Sequence, residues 1–137
     1  MKEDCIFCAI VNGAIPSYKI YEDAHFLAIL DRFPKCLGHV LLMPKQHTDN
    51  LFDLPVELAT NLLPVAQKIA HSLQKVLNCK GLNLLQNNGE VAGQEISHFH
   101  LHLIPRFDED KMLITYTNLN PSHNEFEEVL AKIKAVI

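Results

Sequence analysis

A basic excess, a long apolar run, an internal repeat and a low-complexity tract are all missing from this sequence of 137 residues. Twelve Lys and Arg stand against sixteen Asp and Glu, for a formal charge of −4. Without a positive field there is no means of releasing counterions from a polyphosphate backbone, which argues against nucleic acid as the partner. A small nucleotide stays open, because a few local donors suffice for one phosphate. No stretch approaches the ~20 apolar residues that cross a bilayer. The opening Met1-Lys2-Glu3-Asp4 carries both signs of charge, unlike a secretory signal, so a cytoplasmic protein is expected. In that compartment the four cysteines read as metal-bound or buried thiols rather than disulfides, and Cys36 and Cys79 stand alone.

What is present is an ordinary globular composition, 48% hydrophobic and 20% charged. One domain of this length buries roughly two-thirds of its unfolded surface and needs no covalent staple. It divides into a Cys-x-x-Cys segment (1–13), a core (14–107) and a C-terminal helical segment (108–137). Cys5 to about Val11 reads as a short helix stopped by Asn12-Gly13. Ser17–Tyr21, His25–Leu30 and His39–Met43 read as strands. Asp53 is the expected N-cap of a long helix to about Leu77, with Pro55 in its first turn and Pro64 inside it. That helix carries Leu58, Leu62, Val65, Ile69, Leu73 and Val76 on one stripe. A second stripe of Ala59, Leu63, Ala66, Ala70 and Leu77 beside it suggests that one meets the sheet and the other a second subunit. Gly81 is expected to close the helix region before a fourth strand, Leu82–Gln86, and the fifth is Phe99–Ile104. Ser122-x-x-Glu125 is a capping box for a last helix with Phe126, Val129, Leu130, Ile133 and Val136 at helical spacing, expected to be a packing helix. Strands in runs with helices set apart make an α+β fold.

The fifth strand holds the chemistry. In His98-Phe99-His100-Leu101-His102-Leu103-Ile104 three imidazoles recur at every second position, about 6.5 Å apart on one face of an extended chain, with Phe99, Leu101 and Leu103 on the other. Two chemistries suit such a row. A His-x-His pair can ligate a catalytic metal ion with an open position for water. Alternatively, one neutral imidazole attacks phosphorus while its neighbours donate hydrogen bonds to the oxygens. Pro105 is expected to end the strand's ladder.

These residues resemble the histidine triad (HIT) motif, His-φ-His-φ-His-φ-φ with φ apolar. Further matches follow in the family's order: Ile15-Pro16, Tyr21-Glu22-Asp23, Gly38-His39-Val40, Pro44-Lys45-x-His47, Asn87 and Gly89, and Gly93-Gln94 at the phosphate-binding turn. The resemblance covers Cys5 to about Phe107, and is to bacterial Hit and Hint-like nucleoside phosphoramidases and nucleotide hydrolases.

The resemblance implies a five-stranded antiparallel sheet with the long helix against it, doubled in a homodimer. It implies hydrolysis or transfer at the α-phosphate of purine nucleoside phosphoramidates or related nucleotide conjugates. In that picture His100 is the nucleophile that carries a nucleotidyl adduct, and His102 contacts the phosphate and leaving group. Asp31 falls at the position that accepts both ribose hydroxyls, Asn87 and the backbone of Gly93 to Glu95 at phosphate contacts, and Phe7, Ile15 and Ile29 at an apolar slot for the base. In the family's zinc-containing branch, Cys5, Cys8, His47 and His98 supply the four ligands of a structural zinc ion. One position departs: the phosphoramidase branch commonly has Ser two residues after the turn glycine, and here it is Glu95. A carboxylate there repels phosphate unless it turns away or is protonated, so only its backbone N–H carries over. His39 is expected near the triad in a supporting or structural role. The alternatives are a nucleotide-binding scaffold with little turnover and a dinucleoside polyphosphate hydrolase.

Overall fold

The computed structural model describes residues 2–137. Five antiparallel strands, β1 (Lys19–Glu22), β2 (Phe26–Leu30), β3 (Val40–Pro44), β4 (Gly81–Leu85) and β5 (Leu101–Arg106), form one sheet in the order β1-β2-β3-β5-β4. The last strand in the chain is therefore an inner one. It inserts between β3 and β4, pairing Leu41 with His102 and Leu85 with His102 across its two edges. β4 is left as an edge.

Alternation along the strands divides the core into two layers. Phe26, Ala28, Val40, Leu42, Phe99, Leu101 and Leu103 pack with Leu58, Leu62, Ala66, Ile69 and Leu73 of helix α2 (Val56–Leu77). Leu27, Ile29, Leu41 and Met43, on the opposite face, pack with Cys5, Phe7, Cys8 and Ile10 on or beside helix α1 (Ile6–Val11). His102 shares that second face, being directly across from Leu41.

Several expectations need correction. Asp53 does not cap α2. Its carboxylate accepts from Asn50 N at 2.9 Å and Asp49 N at 3.0 Å, closing a separate 3-10 turn (Leu51–Asp53), and Pro55 is the residue that precedes α2. Val76 is exposed rather than on the buried stripe. Pro64 lies in α2 without ending it. Asn78, not Gly81, turns the chain out of α2 by adopting φ 52°, the left-handed conformation that Asn tolerates, and Gly81 opens β4.

The triad strand is also shifted. It begins at Leu101, so His98, Phe99 and His100 lie in the segment leading into it, where Phe99 N donates to Thr48 O at 2.7 Å instead of joining the β3 ladder. At its other end the strand runs through Pro105. In an antiparallel pair a residue's N and O point to the same side, and Pro105 O accepts from Cys36 Sγ at 3.3 Å, beyond the end of β3. The missing N–H thus falls where no strand asks for it.

The C-terminal helix α3 (His123–Val136) has its capping box, with Glu125 N donating to Ser122 Oγ and Ser122 N to Glu125 Oε2. Its packing surface is not on this chain: every residue from Thr115 to Ile137 is exposed. Amphipathic spacing specifies that a stripe wants covering, not what covers it.

Candidate active site and metal cluster

On the α1 side of the sheet, four donors from three separate segments meet. His98 Nδ1 lies 3.5 Å from Cys5 Sγ, 3.6 Å from Cys8 Sγ and 3.2 Å from His47 Nδ1, and Cys8 Sγ lies 3.4 Å from His47 Nδ1. A tetrahedral ion bonded at about 2.3 Å to sulfur and about 2.0 Å to nitrogen sets its ligands about 3.5 Å apart for S···N and about 3.3 Å for N···N. Those four separations match that spacing, and all the ligand atoms lie within 4.8 Å of one another. Their other hydrogen bonds prepare them. His98 Nε2–H donates to the Pro44 carbonyl at 2.8 Å, and His47 Nε2–H donates to Asp49 Oδ1 at 3.0 Å. Both Nδ1 lone pairs are thereby turned toward the thiols. Burial pushes His98 below its ordinary pKa, which keeps it neutral, and pushes the Cys5 thiol up, a penalty on the thiolate that an adjacent cation offsets. Cys5, Cys8, His47 and His98 are a set that can hold a metal ion.

Two residues further on, the same logic gives the opposite tautomer. His100 Nδ1–H donates to the His98 carbonyl at 2.7 Å, so the lone pair of His100 sits on Nε2. Burial holds His100 below its ordinary pKa, against the upward pull of Asp31 and Glu95. The ring is neutral and carries a free lone pair, the form in which imidazole is a nucleophile. Phe7 packs T-shaped against both His98 and His100, with ring centroids 5.8 and 5.0 Å apart.

His102 is fixed through His39. Lys35 N–H donates to His39 Nδ1 at 3.1 Å, so His39 carries its proton on Nε2, which lies 2.9 Å from His102 Nδ1. That bond makes His102 Nδ1 the acceptor and leaves the His102 proton on Nε2. Desolvation, with the neighbouring His100 and His39, lowers His102 to about 4, so at neutral pH it is a donor without charge. Asp31 Oδ2 stands 3.6 Å from His39 Nδ1, while Asp31 Oδ1 accepts from Phe33 N at 2.9 Å. The histidine whose role the sequence left open is thus the one that orients His102. Its signal was only its place on a strand beside the triad, because the contact spans 63 residues of chain.

The turn before the triad is tied to itself. Gly93 has φ 89°, and Asn87 Nδ2 donates to its carbonyl at 3.2 Å. Gln94 is buried: its Oε1 accepts from Gly89 N at 2.8 Å and its Nε2 donates to Asp49 O at 2.6 Å and Ile96 O at 3.0 Å. Sequence matched Gln94 to the turn but did not foresee that it staples the turn to the loop that carries His47. Glu95 is exposed. Of the three expected base-slot residues, Phe7 and Ile29 are buried in the second core layer, and Ile15 packs against that layer half-buried.

Residues 12–109 match the HIT domain. This protein belongs to the HIT family. It is 39% identical over 135 residues to adenosine 5'-monophosphoramidase HNT1 of Saccharomyces cerevisiae, covering 95% of this chain and 83% of that one. Crystal structures of HIT family proteins from Bacillus subtilis and Bacillus anthracis superpose with a TM-score of 0.93 each, at 37% and 38% identity, covering 98% and 100% of this chain and 98% and 99% of theirs. A Zn-bound histidine triad family protein of Mycobacterium smegmatis superposes with a TM-score of 0.76, at 37% identity and 98% coverage of both chains.

Proposed function

We propose that this HIT protein hydrolyses purine nucleoside phosphoramidates, or related conjugates at a nucleotide α-phosphate, through a nucleotide bound covalently to His100. The observation that carries the reading is the His100 Nδ1–H to His98 carbonyl bond, which leaves the Nε2 lone pair for attack. In the first step a bond forms between His100 Nε2 and phosphorus, and the bond to the leaving nitrogen breaks. The leaving amine takes the electron pair and one proton from solvent. The positive charge left on the His100 ring is stabilised by the His98 carbonyl, and His102 Nε2–H donates a hydrogen bond to the reacting group. Water then attacks phosphorus, the bond to His100 breaks and restores its Nε2 lone pair, and one proton of the attacking water passes to solvent, replacing the one given to the amine. His98 is a poor nucleophile by the same reasoning, because its Nε2 is a donor to Pro44 O and its Nδ1 faces the thiols.

Asp31 would accept the ribose hydroxyls, and Ile15 would meet the base with Phe7 and Ile29 behind it. Asn87 and the Glu95 N–H would hold the phosphate, because the Gly93 and Gln94 N–H groups already donate to Glu90 O at 2.9 Å and Gly89 O at 3.1 Å. The ion at Cys5, Cys8, His47 and His98 would be zinc. The donor set supports it, two soft thiolates and two imidazoles closing four positions with none left for water. Its part is structural, fixing α1 against the lead-in to β5. Four free thiols suit a reducing, cytoplasmic setting. We also propose a homodimer, supported by the exposed Leu63 and Val76 on α2 and Leu84 on the edge strand β4.

Rapid-quench mass spectrometry with an adenosine phosphoramidate tests the reading. An adduct of adenosine monophosphate mapped to His100 is the expected result, and an adduct on His102, or burst turnover persisting in His100→Ala, would refute it.

A further inference from the structure

Three consecutive residues of the loop after β3 hold three different parts of the site. The ring of His47 turns Nδ1 to the Cys8 thiol, the carbonyl of Thr48 accepts from Phe99 N at 2.7 Å, and the carbonyl of Asp49 accepts from Gln94 Nε2 at 2.6 Å. One stretch of backbone thus carries a candidate metal ligand, the segment leading into β5 and the turn before it. The Asp49 side chain ties that stretch further. Its Oδ1 accepts from His47 Nε2–H at 3.0 Å and lies 3.7 Å from the Lys2 ammonium, and Lys2 N–H donates to Cys8 Sγ at 3.5 Å. Asp49 therefore touches His47 directly and reaches Cys8 through Lys2.

At the far end of these bonds is the turn that would hold the phosphate. Gln94 is buried, its Oε1 accepts from Gly89 N at 2.8 Å, and its own N–H donates to Gly89 O at 3.1 Å, so both its side chain and its backbone close the turn. The next N–H along the chain is that of Glu95, the backbone donor proposed above for the phosphate. Where that donor sits follows from how Gln94 is held, and across the site Gln94 is held by Asp49. The two residues are 45 apart in the chain, so this bond, not local geometry, sets the turn against the loop. An ion bonded to His47 orders residues 47–49, and a phosphate bonded to Glu95 N orders the turn. Whichever binds first spares the other part of the ordering cost.

We propose that the metal cluster and the phosphate turn are energetically coupled through Asp49 and Gln94, which act as positioning residues. An ion at Cys5, Cys8, His47 and His98 tightens nucleotide binding at the turn, and a bound nucleotide tightens the ion in return. This rests on the phosphate contacts and the zinc ion proposed above. It adds that the ion, besides fixing α1, sets the grip on the substrate.

Full-length protein, zinc and adenosine monophosphate test it. The zinc dissociation constant is measured by competition with a chromophoric chelator, with and without saturating nucleotide, and the nucleotide dissociation constant by calorimetry on zinc-loaded and zinc-free protein. Linkage makes the two ratios equal, and the expected ratio is about fivefold. Asp49→Ala, which removes the bond to His47 at an exposed position, should bring the ratio to about two or less. Asp49→Asn, whose amide oxygen still accepts from His47, should restore it. A purely structural role for Asp49 would weaken zinc binding or lower the thermal midpoint and leave the ratio where it was. Should zinc-free protein unfold, the variants still decide, because coupling through unfolding alone gives the same ratio in all three chains. A ratio unchanged in Asp49→Ala overturns the proposed link. Nucleotide that binds zinc-loaded and zinc-free protein equally overturns the coupling while the phosphate site stands. No binding to the loaded protein overturns the phosphate site and the coupling with it.

Discussion

His98 and His100 are two residues apart, chemically identical and both buried, yet one faces two thiols and the other presents a free lone pair. The difference lies in the backbone oxygen each ring finds. The Pro44 carbonyl takes the proton of His98 on Nε2, and the His98 carbonyl takes the proton of His100 on Nδ1. A single motif thus turns one lone pair toward the thiols and another away from them through the choice of acceptor, the difference on which the proposed ligand and nucleophile roles rest. His102 is a third outcome, a donor set by a side-chain relay from His39.

If the division is sound, the two ends should break separately. His100→Ala removes the attacking nitrogen, so steady-state turnover of an adenosine phosphoramidate should fall at least about 10⁴-fold while the bound metal and the thermal midpoint hardly move. Cys8→Ala should do the converse. It should lose the metal, as read by atomic emission, and about 3–5 kcal/mol of stability to denaturant, with turnover of the still-folded fraction within about tenfold of the parent. Equal loss of turnover in both variants would merge the two ends.

The relay predicts a smaller effect. His39→Phe removes the donor that fixes His102, and kcat should fall about 10–100-fold with KM little changed. His39→Gln, whose amide can donate again, should recover part of the loss. A recovery no better than that of His39→Phe would assign His39 to packing alone.

The smallest effect is on stability against pH. His102 is lowered to about 4 in the folded protein, against about 6.5 for an unfolded histidine. Between those values the unfolded chain binds the extra proton, so stability should drop as pH falls from about 6.5 to about 4 and level off below. With partial exposure discounted, His102 contributes on the order of 1–2 kcal/mol of that drop. Urea titrations of parent and His102→Asn, compared from pH 7 to pH 4, measure it; parallel curves would contradict the shift.

The five strands and the long helix were legible because alternation and 3.6-residue periodicity reflect burial directly. Where a strand starts was less so. β5 begins at Leu101 rather than Phe99 because Phe99 N pairs with Thr48 O, a contact from a distant loop. Asp53 looked like a helix cap, but Asn50 captured its carboxylate first. The set that can hold a metal ion and the histidines proposed as catalytic are read by resemblance, whereas no periodicity reveals which nitrogen of a ring bears the proton. Gln94 and His39 act through partners 45 and 63 residues away, and sequence spacing carries no trace of either. The apolar stripe of α3 was plain, but it lies exposed on this chain, because a stripe says nothing about which surface it meets.

Histidine ¹⁵N chemical shifts, read from long-range ¹H–¹⁵N correlation spectra at pH 7.5, test the central claim most directly. The account predicts His100 as the Nδ1–H tautomer with an unprotonated Nε2, beside His98 and His102 as Nε2–H tautomers. A spectrum with His100 protonated on Nε2, or with His98 and His100 in the same tautomer, would contradict it.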